Sequence, residues 1–172
     1  DPYRSLLPLL DATHLHPISS SMGRLFDGIA ALVLSLHDTT YEGEPAMMLE
    51  AICDSSAAGS YSLPLINCQL DWRSMIYQVL DDLLDDVETG TIAMRFHRGL
   101  AEAVVSIIRR YHHYPVVLTG GCFQNKILVE LIHELLDDDR RVGFPGVIPC
   151  NDGGLSAGQL VVAAARLNCL GD

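Results

Sequence analysis

The stretch Pro115-Val116-Val117-Leu118-Thr119-Gly120-Gly121-Cys122-Phe123-Gln124-Asn125 joins a short, β-branched apolar run to a helical pattern through two glycines. Nearer the C-terminus, Val147-Ile148-Pro149-Cys150-Asn151-Asp152-Gly153-Gly154 repeats the plan. A strand that ends in Gly-Gly can turn sharply and leaves no Cβ between backbone and ligand. The helix start that follows offers unpaired N–H groups to an anion. The two stretches therefore predict a pair of strand-to-helix turns suited to holding a nucleotide.

Outward from these turns, the pattern after Pro115 is strand, Gly-Gly, helix to about Leu136, a short strand over 142–144, a Pro145-Gly146 turn, another strand, Gly-Gly and a last helix through Leu167. Such alternation predicts an α/β fold with crossover connections and a largely parallel sheet. The N-terminal half predicts helices. Leu25, Phe26, Ile29, Ala30, Val33 and Leu34 recur at helical spacing from the Ser19-Ser20-Ser21 caps to about His37, and Pro45 opens a helix carrying Met47, Met48, Leu49 and Ile52. Residues 54–60 read as a loop, 61–66 as a strand, and Asp71 as the cap of a helix to about Asp86. A longer helix, capped by Glu88 or Thr89, carries Ile92, Phe96, Leu100, Val104, Ile107, Ile108 and Tyr111 on one stripe, stops before Pro115 and is expected to lie across a sheet.

The 172 residues are 49% hydrophobic with a mean hydropathy of +0.23, enough apolar surface for one globular domain. Acidic residues outnumber basic ones 22 to 11, a net charge of −11, with Lys126 the single lysine. Nucleic acid and anionic membranes are poor partners for such a chain, because both demand a basic patch. Asp81-Asp82, Asp85-Asp86 and Asp137-Asp138-Asp139 read as solvated helix faces and ends. Five cysteines without a C-x-x-C pair match neither a disulfide framework nor a zinc finger, and point to reduced thiols in the cytoplasm. There is no charged-then-apolar leader, and the chain opens at Asp1-Pro2-Tyr3-Arg4 without methionine. It is expected to be part of a longer protein.

Four motifs occur in order: Gly23-Arg24-Leu25-Phe26-Asp27-Gly28-Ile29-Ala30-Ala31-Leu32, Tyr41-Glu42-Gly43-Glu44-Pro45-Ala46-Met47-Met48-Leu49-Glu50, Gly120-Gly121-Cys122-Phe123-Gln124-Asn125, and Asn151-Asp152-Gly153-Gly154-Leu155-Ser156-Ala157-Gly158-Gln159. Together they resemble the C-terminal part of the HypF family, the carbamoyltransferases of NiFe-hydrogenase maturation. The resemblance implies that residues 1–172 form mainly the second lobe of a domain similar to the tRNA threonylcarbamoyl transferases. Its fold would be actin/sugar-kinase/Hsp70-ATPase-like (ribonuclease H-like). It further implies an intact enzyme that makes carbamoyladenylate from carbamoyl phosphate and ATP, then passes the carbamoyl group to the C-terminal cysteine of a HypE-type partner. The isolated chain is expected to be inactive.

By the same resemblance, Asp27, Gly43, Gly120, Gly121 and Asn125 would bind the nucleotide. Asp27 would accept from the ribose hydroxyls, the glycines would admit the ligand to the backbone, and Asn125 would bond its polar atoms. Each also has a plain structural reading: Asp27 as the partner of Arg24 one turn earlier, Gly43 as a helix-start glycine with Glu42 a weaker companion, and Asn125 as a helix cap. Asp152 is the one metal-ligand candidate. In the related transferases an aspartate here joins two histidines spaced four apart to hold a divalent or iron-type ion, and neither His14 and His16 nor His112 and His113 matches that spacing. Cys122 sits near a helix start but has no positioned base, so a packed thiol is the better reading. Trp72, Phe96 and Phe123 are expected in the core. A partner-binding lobe without catalysis, or an ATP-dependent phosphotransferase of the same superfamily, are the rival functions.

Overall fold

A computed structural model describes residues 12, 18–136, 142–144 and 146–169, excluding the side chains of the last two. Its elements are α1 (Met22–Leu34), α2 (Glu44–Ala51), β1 (Leu65–Ile66), β2 (Gln69–Leu70), α3 (Arg73–Leu84), α4 (Thr89–Arg110), β3 (Val116–Val117), α5 (Lys126–Leu135), β4 (Val142–Gly143) and α6 (Leu155–Cys169). Short 3-10 turns, Gly121–Gln124 and Asp152–Gly154, precede α5 and α6.

The 22-residue α4 is the axis of the molecule, and α1, α2, α3 and α5 all pack on it. Ile92, Ala93, Phe96, Leu100, Ala101, Val105 and Ile108 of α4 meet Phe26, Ile29 and Ala30 of α1, Leu49 of α2, Met75 and Val79 of α3, and Leu128 and Ile132 of α5 in one core. Phe26 and Phe96 meet edge to face, with centroids 4.9 Å apart. This helix was expected across a sheet, yet helices surround it. The predicted stripe drifts accordingly: Val104 and Ile107 are half-buried and Tyr111 is exposed. A helix covered on most sides has no single apolar face to read.

The sheet content is smaller than the pattern suggests. β1 and β2 form an antiparallel hairpin, and β3 pairs with β4 in parallel across the α5 crossover. The strand expected over 61–66 shrinks to its last two residues. Tyr61 and Leu63 alternate inward around Ser62, but the Tyr61 N–H donates to Arg95 O of α4 at 3.2 Å, and Pro64 has no N–H to give. The second apolar run, 147–149, forms bends and not a strand. Pro149 again interrupts any ladder.

Two further expectations shift. Asp82 is no solvated face residue: Tyr61 Oη donates to it at 2.5 Å and Arg95 Nη1 at 2.6 Å, pinning the 54–61 loop to α3 and α4. Trp72 lies half-exposed at the start of α3, outside the core. Asp71 lies one residue before the N-cap of α3, which is Trp72, and accepts from the Arg73 backbone N–H at 3.1 Å and from its guanidinium. Along α6, Leu155, Leu160, Val161, Val162 and Leu167 are all exposed.

Gly99 marks the closest backbone approach, because a Cβ there would lie 2.2 Å from Tyr61 O. Exposed Gly28, in contrast, has no atom within 4 Å of where a Cβ would stand. Urea unfolding should show Gly99→Ala destabilised by about 3 kcal/mol, and Gly28→Ala stabilised by about 0.5–1 kcal/mol as a helix-interior glycine is removed.

Candidate functional site

The first glycine turn grows out of β3. Leu118 N–H extends the parallel pairing to Gly143 O at 2.9 Å, and Gly120 N–H then crosses to Cys150 O at 2.7 Å. Gly120 has φ +105°, in the region that favours glycine, and neither Gly120 nor Gly121 has an atom within 4 Å of where a Cβ would stand. Both face open space. The chain then closes the Gly121–Gln124 turn through Phe123 N–H to Gly120 O and Asn125 N–H to Cys122 O.

The second glycine pair has a different task. Asn151 Oδ1 accepts from Gly153 N–H at 3.0 Å, and a Cβ on Gly154 would lie 2.4 Å from Pro149 O. These glycines permit tight packing, whereas the first pair leaves an opening. The Gly120–Cys150 bond brings the two turns together along a groove of about 940 Å³. Thr119, Gly120, Cys150, Asn151 and Asp152 line one part of it and α6 the other.

The start of α5 corrects the expectation of N–H groups open to an anion. Glu50, at the far end of α2, accepts from Lys126 N–H at 2.7 Å and Ile127 N–H at 3.3 Å. Asn125 Oδ1 accepts from Leu128 N–H at 2.8 Å. A carboxylate and an amide from the chain itself fill the positive end of the helix. Asn125 is 7% exposed, and its Nδ2 lies 2.9 Å from His97 Nε2. His97 is fully buried in α4, with Nδ1 2.8 Å from Ala93 O and 3.3 Å from Cys53 Sγ. Since Ala93 O only accepts and Asn125 Nδ2 only donates, the ring is neutral with its proton on Nδ1. Burial holds its pKa below the usual histidine range, against the opposing pull of Glu50. Cys53 is pushed up to about 12 by burial and by Glu50, so its thiol stays protonated.

Asp27, on α1, pairs with Arg24 Nη1 at 3.2 Å as its spacing suggested. It also faces the glycine turn, since α1 packs on Gly121–Gln124 and the Asp27 charge adds to burial in raising the Cys122 thiol. Cys122 is half-buried and unsuited to act as a nucleophile at neutral pH. Gly43 caps α2 at φ +84° with open space around it, and Glu42 beside it is exposed. Asp152 is exposed on the Asp152–Gly154 turn. Among the described residues no three His, Cys, Asp or Glu side chains gather to hold a metal ion. His14 and His16 lie outside the described residues, and His112 and His113 lie against one another with ring planes tilted by 48°, exposed, past the end of α4. Neither Glu50 nor His97 was singled out by sequence reasoning. A glutamate inside a helix and a histidine among apolar neighbours carry no local signal of a partner more than 25 residues away.

Residues 2–159 match the sequence profile of the carbamoyltransferase Kae1-like domain, second subdomain, of HypF. The chain belongs to this family. It is 37% identical over 154 residues to carbamoyltransferase HypF of Synechocystis, covering 84% of the chain and 19% of that protein. It is 38% identical over 156 residues to the HypF of Rhodobacter capsulatus, covering 88% and 20%. A crystal structure of full-length HypF in its phosphate- and nucleotide-bound form superposes with a TM-score of 0.73 at 33% identity, over 86% of the chain and 24% of that structure. The chain thus spans about a fifth of the length of these two relatives. Among the described residues no helix is long and apolar enough to cross a membrane.

Two stability effects follow. Glu50→Ala removes a charged cap from the exposed Lys126 N–H and the part-buried Ile127 N–H and should cost about 1 kcal/mol in thermal unfolding. For His97, the unfolded chain takes up a proton near pH 6.5, above the folded chain. Stability should therefore hold above that pH and decline as pH falls through the folded pKa of His97. His97→Gln should flatten that part of a pH–stability profile.

Proposed function

We propose that the intact protein, of which this chain forms the second Kae1-like subdomain, is a carbamoyltransferase that uses carbamoyladenylate, made from carbamoyl phosphate and ATP. The acceptor would be the C-terminal cysteine of a HypE-type protein, in the cytoplasmic assembly of a NiFe-hydrogenase ligand. The chain would be one lobe of an actin/sugar-kinase/Hsp70-like pair. The supporting observation is the 2.7 Å bond from Gly120 N–H to Cys150 O, which draws both glycine turns to one groove in a chain of this family. A volume of about 940 Å³ is ample for a nucleotide.

In this reading Gly120 and Gly121 let the adenylate phosphate and sugar approach the backbone, Gly43 offers a second open glycine, and Asp27 accepts from the ribose hydroxyls. Asn125 acts from beneath the turn, since its amide oxygen is taken by Leu128 N–H and its nitrogen meets His97. The acceptor thiolate attacks the carbamoyl carbon. A C–S bond forms as the C–O bond to phosphate breaks, and the electron pair leaves on AMP. Alignment of thiolate and anhydride and charge stabilisation on oxygen are what the protein must supply. No residue of this chain has to become a covalent nucleophile. The described residues do not assemble a metal site, and no step here depends on one. We infer that transfer needs the rest of the protein, with this chain supplying part of the adenylate site.

Calorimetric titration with a stable carbamoyladenylate analogue tests the reading. The folded chain should bind it, and Asp27→Ala and Gly120→Ala should each weaken binding about tenfold or more, the second because φ +105° strains alanine. A folded chain that shows no binding, or binding indifferent to both changes, would refute it.

A further inference from the structure

We propose that His97 is a positioning residue of the nucleotide site: acting through Asn125, it fixes the glycine turn Gly120–Gln124 against α4. This rests on the nucleotide reading above and deepens it. The geometry is a continuous chain of bonds. Ala93 O accepts from His97 Nδ1–H at 2.8 Å, His97 Nε2 accepts from Asn125 Nδ2–H at 2.9 Å, and Asn125 Oδ1 accepts from Leu128 N–H at 2.8 Å. Asn125 directly follows the turn, and its own backbone N–H donates back into it, to Cys122 O at 3.2 Å. A shift of its side chain therefore moves the turn.

The amide orientation leaves no spare arrangement. Neutral His97 presents one acceptor toward Asn125, and Asn125 must point its oxygen at Leu128 to cap α5. A protonated His97 would place an N–H against the Asn125 NH2 group. Asn125 could answer only by flipping its amide, which turns NH2 toward Leu128 N–H and loses the cap. Either response leaves a buried donor without an acceptor. The surroundings of His97 favour the neutral form. Phe26 and Phe96 meet its ring at centroid distances of 5.5 Å, and the ring is fully buried. The titratable groups facing it are Cys53, with its thiol 3.3 Å from Nδ1, and Glu50, whose charge favours protonation without overcoming burial.

Nucleotide affinity of the chain should therefore depend on the protonation of a histidine that never touches the nucleotide. The probe is an acyl-sulfamate adenylate analogue, whose linkage does not titrate near neutrality, measured by calorimetry at pH 7.5 and pH 5.0. The wild-type chain should lose about tenfold in affinity once His97 is protonated, as read from its imidazole nitrogen-15 shifts, and unchanged affinity with a protonated His97 would overturn the proposal. His97→Gln keeps an acceptor within reach of Asn125 but cannot titrate, so it should bind at pH 7.5 within about threefold of wild type and change little at pH 5.0. His97→Phe fills the space without an acceptor and should bind weakly at both pH values. Retention of the wild-type pH dependence in His97→Gln, or wild-type affinity in His97→Phe, would overturn the proposal.

Amide exchange at pH 7 separates this inference from the nucleotide reading. Leu128 N–H should exchange about tenfold or more faster in His97→Phe than in wild type or His97→Gln. Equal protection in all three would overturn the proposal even if nucleotide binds. If none of them binds nucleotide while Leu128 responds as expected, the nucleotide reading fails and the proposal fails with it as a statement about that site. Nitrogen-15 spectra of the imidazole supply a further check: the Nδ1–H tautomer is expected, and a neutral Nε2–H ring would contradict the chain of bonds.

Discussion

The first N–H groups of α5 must find acceptors, and that requirement organises the middle of the molecule. Three of them are met from within the chain, by Glu50 and by the Asn125 side chain. Glu50 ties α2 to α5, and Asn125 ties α5 to α4 through His97. Three helices are thereby locked at the point where the glycine turn emerges. The same bonds remove the α5 terminus as a phosphate site, because its positive end already holds a carboxylate. At the turn itself the Gly120 N–H and O are also taken, by Cys150 O and Phe123 N–H, so what Gly120 and Gly121 offer is open space beside the backbone.

This arrangement separates two roles that a glycine pair can play. Around Gly120 and Gly121 the space beyond the backbone is empty, while around Gly154 it is filled by Pro149. The first pair makes an opening and the second allows the close packing that holds the opening's far wall, joined to it by the Gly120–Cys150 bond. Asp27, on the helix that packs against the Gly121–Gln124 turn, acts electrostatically on Cys122 and shares its carboxylate with Arg24. The structural and functional readings of Asp27 are compatible, since an ion pair with 29% of the carboxylate side chain exposed still leaves it open to a ligand.

Local patterns in the sequence carried the helices well. The apolar spacing from Leu25 to Leu34, Pro45 after the Gly43 turn, and the Asn125 cap each express a short-range rule, and each has its counterpart in the structure, while Asp71 holds the Arg73 N–H from one residue before the N-cap of α3. The parallel β3–β4 pair was legible from the alternation of strand and helix after Pro115, although only two residues of each strand pair. What misled was apolar character without backbone donors: Pro64 and Pro149 sit in runs that looked like strands, and the alternation of Tyr61 and Leu63 serves a contact with α4 instead. Asp82 and His97 stayed hidden for a different reason. Their partners come from other elements, so no window of neighbouring residues could reveal them. The four ordered motifs indicated the family, which the match over residues 2–159 then showed, while Glu50 lay inside one of those motifs without announcing its capping role.

The most direct test of the central claim is to map backbone amide shifts of the chain while titrating a non-hydrolysable carbamoyladenylate analogue. The expected result is a set of saturable shifts concentrated at Gly120, Gly121 and Cys122, extending to Gly43 and the Asp27 turn of α1, with Lys126 and Ile127 little changed because Glu50 already occupies their donors. Shifts centred on Lys126 and Ile127, with the glycine turn silent, would contradict the account.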